Sequence, residues 1–380
     1  MNTLCIQIQK ILPNFPASPL PCYTVRMSEL HHLAKNTAFQ LIGRVFGTLF
    51  GVLTIAAMTR ALGADGYGQF TIAFTFLAIA GALADFGFTL TTTQMISEKP
   101  ERESAIVSTA FTARLASGTF FFALAILLAV LMPYDATTKL AIAIGALSFF
   151  AMTVSQMLMG VFQKHMAMWR PALAETVSRA IILFLILALA KTQATVPHMM
   201  WAFTAGNVMM LLLNFLSANK YAKVRLSVDK ELLRVFIGRS WPLALSILFN
   251  LLYLKGDVIF MSLLDRSDAE IGHYGAAYKV LDVISVIPTM FMGLLLPLLT
   301  KAWAEKNRAV FHSHLQRAFD LFSLLAFPIL AGAIVLSVPI MTLVAGSDFA
   351  PSGTYLIILM LANTAVFFGI LFSHAIVALN

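Results

Sequence analysis

Stretches of mostly apolar residues, each long enough to cross a lipid bilayer, follow one another along almost the whole chain. A helix needs about 20 such residues to span the hydrocarbon core. Of the 380 residues, 59% are hydrophobic and 12% are charged, which leaves too little polar surface to cover a water-soluble protein. The sequence therefore predicts an all-α polytopic membrane protein with about ten transmembrane helices. The predicted spans are residues 38–59, 68–90, 108–132, 139–162, 172–190, 196–217, 241–263, 275–299, 316–338 and 353–377.

The Lys and Arg residues between these spans fall mainly into alternate loops. The loops after the second, fourth, sixth and eighth spans carry 14 of them, whereas the opposite loops carry only four: Arg60, Lys139, Lys191 and Arg266. Because basic loops stay in the cytoplasm, this asymmetry predicts that both ends of the chain are cytoplasmic. The net charge of +8 then indicates anionic membrane lipids as partners. It does not indicate nucleic acid, since no soluble basic domain is present.

The N-terminal segment, residues 1–35, is predicted to be a disordered cytoplasmic tail. Four prolines between residues 13 and 21 prevent a continuous helix, and the segment lacks the apolar core of a signal peptide. An alternative is that translation starts at Met27. Both cysteines, Cys5 and Cys22, lie in this tail, so no disulfide framework is expected.

A basic connector divides the remaining spans into six and four. The predicted domains are a first bundle of six helices over residues 36–217, a basic amphipathic cytoplasmic connector over residues 218–240, and a second bundle of four helices over residues 241–380. We expect the connector to be a surface helix that presents apolar residues to lipid. Those residues are Leu232, Leu233, Phe236 and Ile237.

A weak internal repeat supports this division. Gly66-Tyr67-Gly68 precedes the second span and Tyr274-Gly275 precedes the eighth. Aligning Gly68 with Gly275 gives an offset of 275 − 68 = 207 residues. Both halves begin on the inner side, so the repeat is parallel. In transporters built from repeats, the substrate site lies between the halves.

Further motifs carry a family resemblance. Asn36, Arg60–Gly68 and Ala84–Phe88 in the first half, with Gly256–Asp257 and Ile271–Lys279 in the second, resemble the bacterial polysaccharide (O-antigen type) flippases. These flippases belong to the multidrug/oligosaccharidyl-lipid/polysaccharide exporter superfamily. Its members usually have twelve or fourteen helices, so we expect the second bundle of this chain to be incomplete and transport by this form to be impaired.

The resemblance implies a transporter of the bacterial inner membrane and not an enzyme. Its substrate would be an oligosaccharide on polyprenyl pyrophosphate, which alternating access would move from the cytoplasmic to the outer leaflet for lipopolysaccharide or other surface polysaccharide biosynthesis. A polysaccharide polymerase and glycosyltransferases would be its functional partners. No cofactor, metal or catalytic residue is implied.

Ionisable residues inside the spans are the candidates for a polar cavity, because a charge that faces lipid is expensive. Arginine offers a planar fork for a diphosphate, although Arg and Lys near an interface also extend to headgroups, the interpretation we favour for Arg114. The substrate-binding candidates are Arg44, Arg179, Arg114 and Lys255. The candidate gate or coupling charges are Asp85, Glu175, Asp257, Lys279 and Asp282. The candidate hinge residues are Gly256 and Pro288.

Spacing on the helices constrains these roles. Glu175 and Arg179 stand four residues apart, the favourable order for an ion pair, which is an alternative to substrate binding. Lys255 and Asp257 stand two apart and are expected to point to opposite sides of their helix unless it unwinds at Gly256.

Lys279 and Asp282 stand three residues apart and share a helix face. They are candidates for closing an outer gate against Asp257. The alternative is that these charges only neutralise one another between helices.

Two other functions fit this architecture less well. A drug or cation antiporter of the same superfamily would need a buried carboxylate deep in the first bundle, and Asp85 lies near the inner surface. A membrane glycosyltransferase or polymerase would need a long outer loop with catalytic groups. The outer loops here are short, and no phosphate-binding glycine loop, metal cluster or nucleophile triad is found in the sequence.

We predict a topology that reporter fusions can check. Fusions after residues 100, 168, 228 and 308 should report a cytoplasmic location, and fusions near residues 136, 193, 268 and 348 an external one, because of the distribution of basic residues. Inverted signals at two or more of these sites would contradict the assigned spans.

Overall fold

A computed structural model of the chain describes residues 27–192, 194–264 and 266–379, with side chains from residue 43 onward except those of residues 44 and 294. The first 26 residues of the predicted tail, with both cysteines, lie outside this range. The described residues form helices and no strand. Nine of these helices are long and apolar enough to cross a membrane, which confirms the all-α polytopic fold. The helices are α1 (Met27–Asp85), α2 (Phe88–Glu98), α3 (Glu103–Leu131), α4 (Ala136–Met157), α5 (Met159–Lys164), α6 (Trp169–Leu189), α7 (Val196–Ala218), α8 (Lys230–Leu263), α9 (Asp268–Ala304), α10 (Arg308–Ala345) and α11 (Ser352–Ala378).

Helix α1 covers the first predicted span and residues 68–85 of the second, and Gly63 between them breaks its helical geometry. Gly63 has φ 65° and ψ −174°, a left-handed φ that a residue without a β-carbon adopts at little cost. Both arms of α1 line the same central cavity, the first with Thr54 and Met58 and the second with Phe70 and Phe74. The chain therefore reverses at Gly63, and nine long elements accommodate the ten predicted spans.

The helices form two groups, which we call lobe 1 (α1–α7) and lobe 2 (α9–α11). Near the side that the loop charges predict to be external, called the outer side below, they share one hydrophobic core, which contains Tyr67 of lobe 1 and Met341 and Phe349 of lobe 2. Towards the inner side each lobe has its own core, and the buried residues of the lobe 2 core, such as Phe322 and Phe367, all come from α9, α10 and α11. The lobes are thus joined at the outer side and separate at the inner side.

The connector differs from the predicted surface helix. Residues 219–229 are not helical. They run along α3, where Ser108 Oγ donates to the carbonyl of Lys223 (3.1 Å) and accepts from the backbone N–H of Arg225 (3.1 Å). Thr112 Oγ1 accepts from the N–H of Ser227 at 3.1 Å. These hydroxyl groups form hydrogen bonds with the backbone N–H and C=O groups of the connector. Its polar backbone groups can therefore be paired without forming a helix.

Helix α8 begins in lobe 1. Leu232 and Phe236, expected to face lipid, are buried in a core cluster of lobe 1 with Phe88, so that expectation is wrong for both residues. Arg239 also forms an ion pair with Glu98 of α2 at 2.8 Å. The apolar spacing of these residues does mark a helix face that is buried, but that face packs against lobe 1 and not against lipid.

The two glycine motifs of the repeat meet at the outer side. A β-carbon at Gly68 would overlap the backbone carbonyl of Asp268, and one at Gly272 would overlap the carbonyl of Ala64. Helices α1 and α9 are therefore in backbone contact, which only small residues permit. We call this contact and the polar bonds around it the outer seal.

Polar groups complete the outer seal. Arg60 donates to the carbonyls of Leu343 (2.7 Å) and Val344 (3.0 Å), which are among the unpaired groups at the C-terminus of α10. Gln69 Nε2 donates to Asp268 at 3.2 Å and to Asp135 at 3.4 Å. The bonds of Arg60 and the bond from Gln69 to Asp268 link lobe 1 to lobe 2, whereas the bond from Gln69 to Asp135 lies within lobe 1.

Asp135 is the acceptor of Gln69 in the loop before α4. Burial raises the pKa of Asp135, but hydrogen bonds from Thr138 and Thr137 oppose this and leave its pKa below the usual value. The carboxyl group is therefore ionised at neutral pH. As an anion it is a strong acceptor for Gln69.

We predict that Gly68→Ala opens the outer seal, since its methyl group would push α9 away from α1. In a variant with Cys5 and Cys22 replaced by serine, labelling of Thr71→Cys by an externally added, membrane-impermeant maleimide should increase several-fold. Gly332→Ala is the control, because a β-carbon there meets no atom within 4 Å. Unchanged labelling in Gly68→Ala would contradict the backbone contact.

Candidate functional site

A cavity of about 920 Å³ lies between the lobes. It ends below the outer seal, and it extends inward because the inner ends of the lobes have separate cores. Helices α1, α4, α5, α6 and α7 form one wall and α9 forms the other. Much of the lining is apolar and comprises Phe70, Phe74, Phe149, Phe203, Met58, Met152, Met159, Met210 and Met290, with several aliphatic side chains.

Glu175 and Arg179 form the charged part of the lobe 1 wall. Arg179 Nη2 and Nε lie 2.7 Å and 3.0 Å from Glu175 Oε1, which confirms the ion pair predicted from their spacing. Arg179 Nη1 also donates to the carbonyl of Gly47 at 3.2 Å. The arginine stem crosses Gly47 and Gly51, where a β-carbon would come within about 3.2 Å of it. The two glycines thus make room for a cation in the wall.

Lys279 and Asp282 form the charged part of the lobe 2 wall. Asp282 accepts hydrogen bonds from Lys255 Nζ at 3.1 Å and 3.2 Å. Lys279 Nζ is farther from the same carboxylate, at 3.8 Å, and lies 4.5 Å from the ring centre of Phe74 in lobe 1. Lys279 therefore makes no hydrogen bond to any residue that the structure describes, although its ammonium group is in the cavity wall.

Lys255 and Asp257 do not point to opposite sides, contrary to expectation. Lys255 reaches Asp282, and Asp257 accepts a hydrogen bond from Tyr274, and both partners belong to α9. Helix α8 is continuous through Gly256, so no unwinding is involved. The flexible lysine stem extends around the helix to its partner, a freedom that ideal helix geometry does not represent.

The expected outer gate is not formed. Lys279 and Asp282 line the cavity, whereas Asp257 is engaged by Tyr274. The two helices place these groups at different levels, because Tyr274 and Asp282 stand two turns apart on α9. The alternative of charge neutralisation between helices agrees with these contacts.

Arg114 and Asp85 form a buried ion pair outside the cavity lining. The Arg114 side chain is 0% exposed, and its Nη1 lies 3.1 Å from Asp85 Oδ1. Arg114 also donates to the carbonyl of Thr153 at 3.3 Å, and Asp85 accepts from Thr89 at 2.6 Å. Arg114 does not extend to headgroups, so the favoured interpretation is wrong. The residue links α1, α3 and α4 from inside lobe 1.

The candidate cations do not form one cluster among the described side chains. The part of the cavity lining that the structure describes contains two cations and two anions, Arg179, Lys279, Glu175 and Asp282, and their formal charges cancel. The side chain of Arg44 lies outside the described part of the structure, so its role stays a prediction.

The candidate hinges lie in uninterrupted helices. Pro288 is inside α9, as is Pro297, which was not singled out. Gly256 is inside α8, which also contains Pro242. A proline has no backbone N–H, so one hydrogen bond of that helix is missing. The hinge roles of Gly256 and Pro288 stay predictions.

Uncharged polar residues in the lobe 1 wall complete the site. Asn207 Nδ2 donates to Ser148 at 2.9 Å, and Asn214 Nδ2 donates to Ser155 at 2.8 Å. The amides lie seven residues apart and so share one face of α7. Gln156, which the sequence analysis did not single out, also lines the cavity. The signal for it was its position one turn after Met152, on the same side of α4.

Within the described ranges, no group of three or more His, Cys, Asp or Glu residues is arranged to hold a metal ion. The chemistry that this site offers is binding by charge, amide and apolar contact.

Comparison with known proteins gives one family match. A family model described as polysaccharide biosynthesis protein matches residues 33–303. No match is found among curated protein sequences.

Solved structures share the fold. An inward-facing multidrug resistance MATE family transporter of the MOP superfamily has a TM-score of 0.70 and 14% identity, with 88% of this chain and 81% of that chain covered. The lipid II flippase MurJ in an inward closed conformation has a TM-score of 0.68 and 17% identity, with 90% and 76% covered. A MOP superfamily transporter from Pyrococcus furiosus has a TM-score of 0.63 and 13% identity, with 92% and 82% covered.

We predict that breaking the Arg114–Asp85 pair destabilises the protein. Arg114→Leu leaves the Asp85 carboxylate without its cation, and Asp85→Ala leaves a buried guanidinium, so each should lower the free energy of unfolding by about 3–5 kcal/mol. Denaturant titration in mixed micelles measures this.

The double variant Arg114→Leu/Asp85→Leu should be less destabilised than Arg114→Leu alone, since no unpaired charge remains. Arg266→Leu is the control, because that residue pairs with Glu270 only at 4.0 Å and on the surface; its effect should stay within about 1 kcal/mol. Wild-type stability in Arg114→Leu would show that the pair does not hold lobe 1 together.

Proposed function

Because this chain belongs to the polysaccharide biosynthesis protein family and has the fold of membrane transporters and flippases, we propose that it moves a lipid-linked oligosaccharide. The proposed substrate is an oligosaccharide on polyprenyl pyrophosphate. Its direction is from the cytoplasmic to the outer leaflet of a bacterial inner membrane, with the N-terminus of the protein in the cytoplasm. Surface polysaccharides such as O-antigen are the proposed destination.

The observation that carries this proposal is the position of Lys279. Its ammonium group lies in the wall of a cavity of about 920 Å³, and Asp282, the acceptor it would use, is more closely bound by Lys255. A lysine with free donors in a partly apolar cavity is a ready site for an anion. A diphosphate supplies such an anion, and it cannot cross hydrocarbon unaided.

Arg179 is the second proposed contact of the diphosphate. Its guanidinium has five donors, of which three are used by Glu175 and Gly47. The remaining donors and the Lys279 ammonium are on facing walls of the same cavity. Binding of one diphosphate between them would draw the two lobes together.

Alternating access is proposed to follow from the outer seal. The seal closes one end of the cavity, and the separate inner cores leave the other end open to the side rich in basic loops. Closure of the inner ends and release of the backbone contact at Gly68 would expose the same cavity to the outside. This exchange requires no new site, only a change in which end is closed.

The cavity charges favour this substrate over a cationic drug. An antiporter for cations needs a carboxylate that is available to the substrate or to a coupling ion. Both carboxylates of the cavity lining in the described chain, Glu175 and Asp282, are paired with Arg179 and Lys255. Lys279, whose ion pair with Asp282 is 3.8 Å long, is the most loosely held of the cavity charges.

Further partners are proposed from the same function. The basic inner loops would contact anionic lipid headgroups. A polysaccharide polymerase and glycosyltransferases would supply or use the lipid-linked glycan.

We predict that Lys279→Gln lowers transport about tenfold or more, because a hydrogen bond to a charged group contributes about 1.5–3 kcal/mol. Arg179→Ala should also lower transport, and Arg179→Lys should restore only part of it, since lysine lacks the planar fork. The measurement is outer-leaflet glycan-lipid in a flippase-deficient strain, normalised to the amount of membrane-inserted protein.

Lys301→Gln is the matched control, because this lysine lies on the same helix at an exposed position outside the cavity lining. It should transport like the wild type. Equal transport by Lys279→Gln and the wild type at equal protein levels would overturn the proposed role of the cavity cation.

A further inference from the structure

We propose that Gln156 and Asn207 recognise the sugar part of the substrate and so determine which glycan the protein accepts. The inference rests on the proposed function and deepens it. The cavity has two walls of different chemistry, and carboxamide groups are present on only one of them.

The two walls divide the polar groups unequally. In lobe 2, α9 contributes the charged pair Lys279 and Asp282, and all its other lining residues are apolar. The uncharged polar lining residues of the described chain all belong to lobe 1. They are Thr48, Thr54, Ser155, Gln156, Ser178, Asn207 and Asn214.

The apolar residues of α9 form one continuous stripe. Val283, Val286, Ile287 and Met290 are spaced three and four residues apart and line the cavity together. Such a surface offers no partner for sugar hydroxyl groups, which lose free energy when buried without hydrogen bonds. Of the two walls, lobe 1 is therefore the one on which a glycan can satisfy its hydroxyl groups.

Gln156 has the features of a ligand-binding group. Its side chain is exposed, it lines the cavity, and it makes no hydrogen bond to another described residue. A carboxamide has two N–H donors and an oxygen that accepts two hydrogen bonds. It can therefore pair with a hydroxyl group as donor and as acceptor, which a charged residue cannot do.

Asn207 presents a second amide in a fixed orientation. Its Nδ2 donates to Ser148 at 2.9 Å, which leaves the amide oxygen free as an acceptor. Asn214 is less suited to this role, because its side chain is buried and its oxygen has no access to the cavity. Asn214 thus joins α7 to α4. Asn207 joins the same two helices and also faces the cavity.

Aromatic side chains flank the amides. Phe149 lies on α4 next to Ser148, and Phe203 lies on α7 one turn before Asn207. Pockets for small molecules commonly combine such apolar surfaces with a few polar groups that fix orientation. A pocket that binds a hydroxyl group also discriminates strongly against a ligand without it, because its own polar groups are then left unpaired.

The test compares farnesyl diphosphate with the same lipid carrying a sugar on its terminal phosphate. The sugar also removes one ionisable P–OH group, a difference that is the same for the wild type and every variant. The sugar-free probe is farnesyl diphosphate. The glycosylated probes are the same lipid with N-acetylglucosamine, galactose or rhamnose on the terminal phosphate. Calorimetry on the purified full chain in detergent gives the affinity of each probe, and the ratio of affinities with and without sugar is the quantity of interest.

At least one glycosylated probe should bind the wild type about tenfold more tightly than farnesyl diphosphate, as expected for two added hydrogen bonds. Gln156→Leu and Asn207→Leu should each remove most of this gain and change the affinity for farnesyl diphosphate less than twofold. Asn250→Leu is the matched control, since this exposed amide on α8 does not line the cavity. Gln156→Leu removes no bond between helices, so it reports on recognition even if Asn207→Leu is unstable.

The inference is overturned if no glycosylated probe binds the wild type better than farnesyl diphosphate, or if the gain persists in both leucine variants. The proposed function is tested separately by farnesyl diphosphate itself. Its binding should be lost in Lys279→Gln and kept in both leucine variants. Failure of the wild type to bind farnesyl diphosphate would count against the proposed function, whatever the ratio of the affinities with and without sugar.

Discussion

The backbone contact between α1 and α9 controls the geometry of the whole molecule. Because Gly68 and Gly272 carry no β-carbon, the two helices approach until main-chain atoms touch, and the lobes share one core at this end only. The cavity exists because the same two helices diverge from that contact. The outer seal therefore depends on a close fit between the two helices. Arg60 and Gln69 add polar bonds that hold it in this state.

The described charges inside the spans are mostly paired with a neighbouring side chain. Arg114 and Asp85 neutralise each other inside lobe 1, and Lys255 occupies Asp282. Pairing keeps the cost of burying ions low in a medium where they cannot be hydrated. Lys279 is the most loosely held of them, because its ion pair with Asp282 is 3.8 Å long and includes no hydrogen bond. The chemistry proposed for the site lies in this cation and a set of amides.

Much of the fold could be predicted from the sequence, because bilayer thickness and hydrophobicity leave few choices. The Glu175–Arg179 pair was also predictable, since it depends on helix geometry alone. The rest depends on contacts between distant segments. No local pattern indicates that Phe236 packs into lobe 1, or that Asp257 bonds to Tyr274. Apolar residues that contact protein and those that contact lipid have the same composition, so only the three-dimensional structure distinguishes them.

Helix α8 has a mechanical consequence. Its first turns are built into the core of lobe 1 through Leu232 and Phe236, and without interruption it continues to Lys255, which is bonded to lobe 2. The lobes are therefore connected by a continuous helix that is fixed to each of them, and not by a flexible linker. The lobes cannot drift apart as independent bodies, and the amplitude of any rocking motion is limited by how far this one helix bends. Pro242, between the two anchors, removes a backbone hydrogen bond at the place where bending would cost least.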